Sequence, residues 1–133
     1  MLPDSTSART ATLDTPTAAG EGVLGIVPFW HMFEARCVDI AMLDVMRTGG
    51  TSGWLKIVAM AEAFNLPVVS HLYPEISVYL VAGVPNGFTV EYMPRSNRLF
   101  KETPKVADGR IEVPARPGLS IEFDEKVCAE YEA

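Results

Sequence analysis

Residues 38–71 read VDIAMLDVMRTGGTSGWLKIVAMAEAFNLPVVSH, and this stretch contains one complete strand–helix–strand pattern. Residues 38–43 are apolar except for one aspartate, which favours a short strand that is covered on both faces. A glycine-rich turn at residues 49–53 precedes apolar side chains at three- and four-residue spacing, which predicts an amphipathic helix ending near Phe64. Residues 68–71 form a second short apolar run. Short strands that alternate with helices are typical of parallel βαβ units.

The same alternation extends outward on both sides of this unit. Four strands with three helices between them favour an α/β fold. We expect about the last four strands of a TIM-type (β/α) barrel, followed by an irregular C-terminal segment. An open, doubly wound four-stranded sheet is the structural alternative. The other predicted elements are a helix end over residues 7–13, strands over 16–21 and 88–92, helices over 28–36, 75–84 and 124–131, and a small hairpin over 110–113.

The charge balance excludes two classes of partner. The 133 residues include 11 basic and 17 acidic side chains, so the net charge is −6. Nucleic acids and anionic membranes both require a positive surface, and we expect neither as the main partner. No apolar run approaches the roughly 18 residues of a membrane span, and the first residues contain no secretory signal. With two cysteines outside any CxxC pattern, the composition favours a cytoplasmic globular protein.

Four chemically active side chains fall at the carboxyl ends of the four predicted strands: Glu21, Asp44, His71 and Glu91. A single such residue is more often a helix cap or a satisfied structural group, but four in successive units favour a site. In an α/β barrel these strand ends share one face, and that face holds the active site.

Each of the four residue types suits one part of a proton-transfer reaction. A histidine can abstract a proton near neutral pH, and a carboxylate on its second ring nitrogen fixes the tautomer. Asp44 precedes His71 by one strand and is the expected partner. Glu91 is a candidate hydrogen-bond donor to a developing oxyanion if it is protonated, and Glu21 is a candidate oxygen ligand for a hard cation.

Five motifs occur in the order and spacing of a known family. Residues 39–54 (DIAMLDVMRTGGTSGW), 70–77 (SHLYPEIS) and 90–93 (VEYM) resemble the sixth-, seventh- and eighth-strand segments of the mandelate racemase / muconate lactonizing enzyme family, within the enolase superfamily. Residues 113–119 (VPARPGL) resemble its C-terminal signature, and 19–21 (AGE) resemble the end of its fifth strand. The resemblance runs from about residue 4 onward.

The resemblance implies a role for each candidate residue. Glu21 matches the third Mg²⁺ ligand of the family, and Asp44 with His71 matches an Asp-His dyad. In that dyad His71 moves the α-proton of a hydroxy-acid carboxylate, while Glu91 matches the acid that hydrogen-bonds the enediolate intermediate. Residues 1–93 would form the C-terminal half of the barrel. Residues 94–133 would form the tail, which in the family packs back on a capping domain.

Other parts of the family pattern have no counterpart in this sequence. The family has two further carboxylate ligands and a Lys-x-Lys pair on earlier strands, but the first lysine here is Lys56, inside a predicted helix. We therefore expect the isolated chain to be inactive and to bind Mg²⁺ weakly or not at all. We also expect it to self-associate or to need an amino-terminal half. Racemisation and sugar-acid dehydration both stay open, as does a non-catalytic remnant or interaction module.

Overall fold

Four parallel strands form the central sheet of the computed structural model, which describes residues 13–132. The strands are β1 (Ala18–Ala19), β2 (Ile40–Asp44), β3 (Val68–His71) and β4 (Gly87–Thr89), and they lie side by side in chain order. The pairing of β2 with β3 is the longest and brings Asp44 opposite His71. The predicted α/β class and the parallel strands are therefore confirmed, while closure into a barrel stays a prediction.

Helices connect successive strands, as the apolar spacing predicts. They are α1 (Val27–Glu34), α2 (Gly50–Ala63) and α3 (Pro74–Ala82), and a short helix α4 (Glu125–Ala129) follows near the C-terminus. Each predicted helix in residues 13–132 has the expected position, and its ends differ from the prediction by about one to three residues. The helix end predicted over residues 7–13 lies almost wholly outside the described residues. Across the described part of the chain, no helix is long and apolar enough to span a bilayer.

The main core lies between the sheet and the inner faces of α1 and α2. Apolar residues of β2 and β3 pack against aromatic and branched side chains of these helices, which bury the stripe that the spacing predicts. The largest fully buried apolar side chains are Phe29, Phe33, Leu43, Trp54, Ile57 and Val68.

Gly20 allows β1 to pack closely against this core. Its φ of +130° disfavours any other residue. A Cβ atom at Gly20 would lie 2.6 Å from the carbonyl oxygen of Met42 and 2.8 Å from a ring carbon of Phe29. The chain therefore needs a glycine immediately before Glu21, where it leaves the sheet.

The C-terminal segment forms its own small set of contacts. The hairpin pairs β5 (Val106–Ala107) with β6 (Arg110–Ile111), so the prediction of a hairpin within residues 110–113 was wrong in extent. Its turn residues, Asp108 and Gly109, both have positive φ, as a two-residue type I′ turn requires. An antiparallel bridge between Phe100 and Phe123 then closes the tail on itself.

Candidate active site

The carboxyl-end edge of the sheet gathers the sequence-predicted site residues. Asp44 and His71 are the last residues of β2 and β3, and they are direct partners in the parallel register. Glu21 and Glu91 each follow the last residue of their strand by two positions. Because all four strands run in the same direction, these positions lie along one edge of the sheet.

His71 has a carboxylate partner, and that partner is Glu91. The Nδ1 atom of His71 lies 3.0 Å from Oε2 of Glu91, and the two side chains are 24% and 30% exposed. The oxygen lies off the direction of a ring N–H, so the contact is a close electrostatic pair and not an aligned hydrogen bond. The same Glu91 oxygen accepts a hydrogen bond of 2.8 Å from the backbone N–H of Leu72.

Ser70 holds the backbone of Glu91 beside β3. Its side chain is fully buried, and its Oγ accepts a hydrogen bond of 3.0 Å from the N–H of Glu91. This bond replaces strand pairing where β4 has already ended, and it places Glu91 level with His71. Sequence reasoning missed this role, although a serine inside an otherwise apolar strand was an available signal.

The backbone immediately after His71 is strained. Leu72 and Tyr73 have φ values of +56° and +46°, which side chains of this size rarely adopt. Ser77 secures the bend, because its Oγ donates a hydrogen bond of 3.0 Å to the carbonyl oxygen of Leu72. Strain of this kind often concentrates at functional sites. No pattern in the sequence predicted it, since neither residue is a glycine or an asparagine.

Asp44 does not contact His71 in the way that the sequence suggested. Its Oδ1 accepts backbone hydrogen bonds from Met46 at 2.8 Å and Arg47 at 3.2 Å, and its Oδ2 lies 3.7 Å from Nε of Arg47. The carboxylate thus turns back over its own loop, which is the usual local behaviour of an aspartate at a strand end. Across residues 13–132 no hydrogen bond or ion pair joins Asp44 to His71, and Glu91 occupies the predicted partner position instead.

Glu21 lies on the surface just beyond β1. Its Oε2 accepts a hydrogen bond of 3.0 Å from the N–H of Gly20, and the side chain is exposed. Within the described ranges, no three His, Cys, Asp or Glu side chains converge to hold a metal ion. Mg²⁺ prefers octahedral oxygen ligation that commonly includes more than one carboxylate. The donor set of residues 13–132 therefore does not by itself fit this ion.

Comparison with known proteins identifies the family of the chain. The sequence model of the family of enolase C-terminal domain-like proteins matches residues 2–127. The chain belongs to this family. This finding confirms the resemblance to mandelate racemase-like members of the enolase superfamily that the five sequence motifs indicated.

Similar enolase-superfamily proteins include a curated enzyme and solved structures. Arabinonate dehydratase of Saccharolobus solfataricus is 35% identical over 94% of this chain and 36% of its own length. L-Talarate dehydratase from Polaromonas sp. JS666, solved with Mg and L-glucarate, is 34% identical with a TM-score of 0.88, over 93% of this chain and 35% of that one. An enolase from Bradyrhizobium, solved with magnesium and mandelic acid, is 28% identical with a TM-score of 0.89, over 95% of this chain and 35% of that one. The chain thus spans about a third of the length of these proteins.

Proposed function

We propose that this chain supplies the carboxyl-terminal part of the barrel in an enolase-superfamily enzyme that abstracts the α-proton of a hydroxy-acid carboxylate. The observation that carries the proposal is the contact of 3.0 Å between His71 and Glu91 at the carboxyl ends of parallel strands. An imidazole beside a carboxylate is a suitable acid–base group near neutral pH. The relatives named as sugar-acid dehydratases support this class of reaction.

His71 is the proposed acid–base residue. Its Nδ1 faces Glu91, so Nε2 is the nitrogen that is left to meet a substrate. When Nε2 takes a proton, the ring becomes an imidazolium, and the negative charge of Glu91 at 3.0 Å stabilises it. The hydrogen bond from Leu72 and the acceptor Ser70 hold Glu91 in place for this role.

The family roles of Asp44 and Glu91 stay proposals. Asp44 would act as the dyad carboxylate only if its side chain left the N–H groups of Met46 and Arg47. Glu91 would hydrogen-bond the enediolate only in a protonated form, which does not fit its ion pair with a charged His71. Because proton abstraction forms the imidazolium and the enediolate in the same step, Glu91 can take only one of these two roles, and Asp44 would stabilise the imidazolium if Glu91 took the other.

Mg²⁺ is the proposed cofactor of the complete enzyme, and Glu21 is its proposed ligand from this chain. A divalent cation would offset the second negative charge that develops on the substrate carboxylate. Since the donors of residues 13–132 are insufficient, further carboxylates would have to come from elsewhere in the complete enzyme.

Dehydration of a sugar acid is the reaction that we favour over racemisation. Dehydration requires only one residue to act first as base and then as acid for the leaving hydroxyl group, and His71 serves both purposes. Racemisation requires a second base on the opposite face of the substrate. A solved relative holds mandelic acid, a hydroxy acid whose α-carbon is a stereocentre, and racemisation is therefore the second candidate.

The open edges of the sheet suggest how the rest of the barrel is supplied. β1 and β4 each pair on one side only within the described sheet, and Phe88 of β4 is 67% exposed. Unpaired strand edges and exposed apolar side chains favour association. We propose that this chain pairs with an amino-terminal barrel segment or, without one, with another copy of itself.

Proton exchange in D₂O tests the proposed function. The chain would be combined with the part of the arabinonate dehydratase relative that it does not match, together with Mg²⁺ and arabinonate. We expect exchange of the α-proton in this assembly, and His71→Asn should slow it by about 10²-fold or more. His31→Asn is the matched control, because it makes the same histidine-to-asparagine change at an exposed position of α1.

Two results would contradict the proposal. Exchange that is equally fast in the His71 and His31 variants would remove His71 from the mechanism. Association of the two polypeptides without any exchange would favour the interaction-module reading. Measuring the chain alone in parallel tests the expectation that it is inactive without the rest of the barrel.

A further inference from the structure

A cavity lies between α3 and the C-terminal segment, apart from the candidate active site. Its volume is about 160 Å³, and none of the four candidate site residues lines it. Glu75, in the first turn of α3, contributes the wall on the side of the sheet. The remaining walls come from the tail, through residues 102–105 and 119–121 and through Glu112, Pro114 and Arg116.

Glu75 is a buried carboxylate, and one of its oxygens is unpaired among the described residues. The residue is only 4% exposed, and its Oε2 has no hydrogen-bond partner within the described residues. Burying a charged or polar group in this way is costly unless a donor satisfies it. The N-terminal end of α3 favours a negative charge nearby, but no backbone N–H of the helix donates to this side chain. The orphaned oxygen therefore indicates a missing donor.

The other charges around the cavity favour a cationic donor over an anionic ligand. Three carboxylates line it, those of Glu75, Glu102 and Glu112, against the cations Lys105 and Arg116. Arg116 is already paired with Glu102, and Lys105 lies at the exposed rim. A carboxylate accepts hydrogen bonds only, and those from cationic nitrogen are the strongest.

The cavity is large enough for an organic cation. A protein cavity of about 150 Å³ can hold a molecule as large as benzene. We propose that this cavity binds a cationic nitrogen group, a primary ammonium or a guanidinium, with Oε2 of Glu75 as the acceptor. Half-buried Thr103 and Ser120 lie in the same wall and supply further polar contacts for such a group. The cation comes either from a free small amine or from a Lys or Arg side chain of another polypeptide.

Titration of the chain with small probes, followed by amide NMR, tests this proposal. The two cationic probes are ethylammonium chloride and Nα-acetyl-lysine methylamide. Sodium chloride at the same ionic strength is the control for salt effects, and propanol is the neutral counterpart of ethylammonium. We expect saturable shifts at Glu75, Thr103 and Ser120 with the cations only. Saturation by both cations supports a polypeptide side chain as the natural donor, and saturation by ethylammonium alone supports a free amine.

Matched variants separate the buried acid from the exposed one. Glu75→Gln keeps the shape and removes the charge, and we expect the affinity for ethylammonium to fall about thirtyfold or more. Glu112→Gln removes an exposed carboxylate from the same cavity, so its affinity should change by less than about fivefold.

The proposal is overturned if neither cation gives saturable shifts, which would mean that water alone fills the cavity. Equal binding of propanol would overturn it too, and so would unchanged binding in Glu75→Gln. If that variant does not fold, the wild-type titration still decides, because shifts that avoid Glu75, Thr103 and Ser120 contradict the proposed site.

Discussion

Replacing Ser70 by alanine should loosen Glu91 specifically. Ser70→Ala removes the buried hydroxyl that accepts the N–H of Glu91 at 3.0 Å. Because Glu91 is partly exposed, water can partly replace this acceptor, so the loss should be near the usual net value of a hydrogen bond, about 1 kcal/mol. That free energy corresponds to a change of about fivefold in the local opening equilibrium. Hydrogen exchange at the Glu91 amide under native conditions measures it directly.

Ser77→Ala is the matched control for this prediction. Ser77 is also buried, and its hydroxyl takes part in one hydrogen bond of the same length, to the carbonyl oxygen of Leu72. Both variants should lose a similar amount of global stability in urea unfolding. Only Ser70→Ala should accelerate exchange at Glu91 beyond that global change. Equal acceleration in both variants, or none in Ser70→Ala, would refute the view that Ser70 positions Glu91.

The remaining predictions concern the core and the thiols. Ile57→Ala on the buried face of α2 should lower the free energy of unfolding by about 2–5 kcal/mol. Leu55→Ala on the exposed face of the same helix should change it by less than about 0.5 kcal/mol. Equal losses of the two variants in urea unfolding would contradict the described packing. Gly20→Ala should cost about 1–3 kcal/mol or more, because its Cβ atom would overlap the core, and Gly22→Ala, with open space around it, should be near neutral in thermal unfolding. Burial raises the pKa of the Cys37 thiol, so iodoacetamide should label this residue only on unfolding. Cys128 is half-buried and should react in the native state. Rapid labelling of Cys37 in the native protein would count against its burial.

The C-terminal segment lies against α3, the helix that follows the candidate active site. It forms most of the cavity around Glu75, and Glu75 follows His71 by only four residues. The strained bend at Leu72 and Tyr73 lies between His71 and Glu75 and immediately precedes α3. A ligand in the cavity would therefore contact the same helix that begins immediately after the proposed acid–base residue.

The sequence alone determined the order and type of the elements and the edge on which the site lies. Apolar runs and helical spacing depend on neighbours along the chain, so they predicted β2, α2 and β3 closely, and parallel strands then placed Asp44 beside His71 in register. The five motifs also indicated the family, which the match over residues 2–127 confirms.

Only the tertiary structure decided which carboxylate meets the imidazole. Strand order brings both Asp44 and Glu91 next to His71, and the choice depends on competing hydrogen bonds that spacing does not encode. Asp44 is taken by the N–H groups of its own loop, while Glu91 is held in place by Ser70 and Leu72. The strained bend and the orphaned carboxylate of Glu75 were hidden for the same reason, because side-chain direction and burial are set by contacts between residues that are distant in the chain.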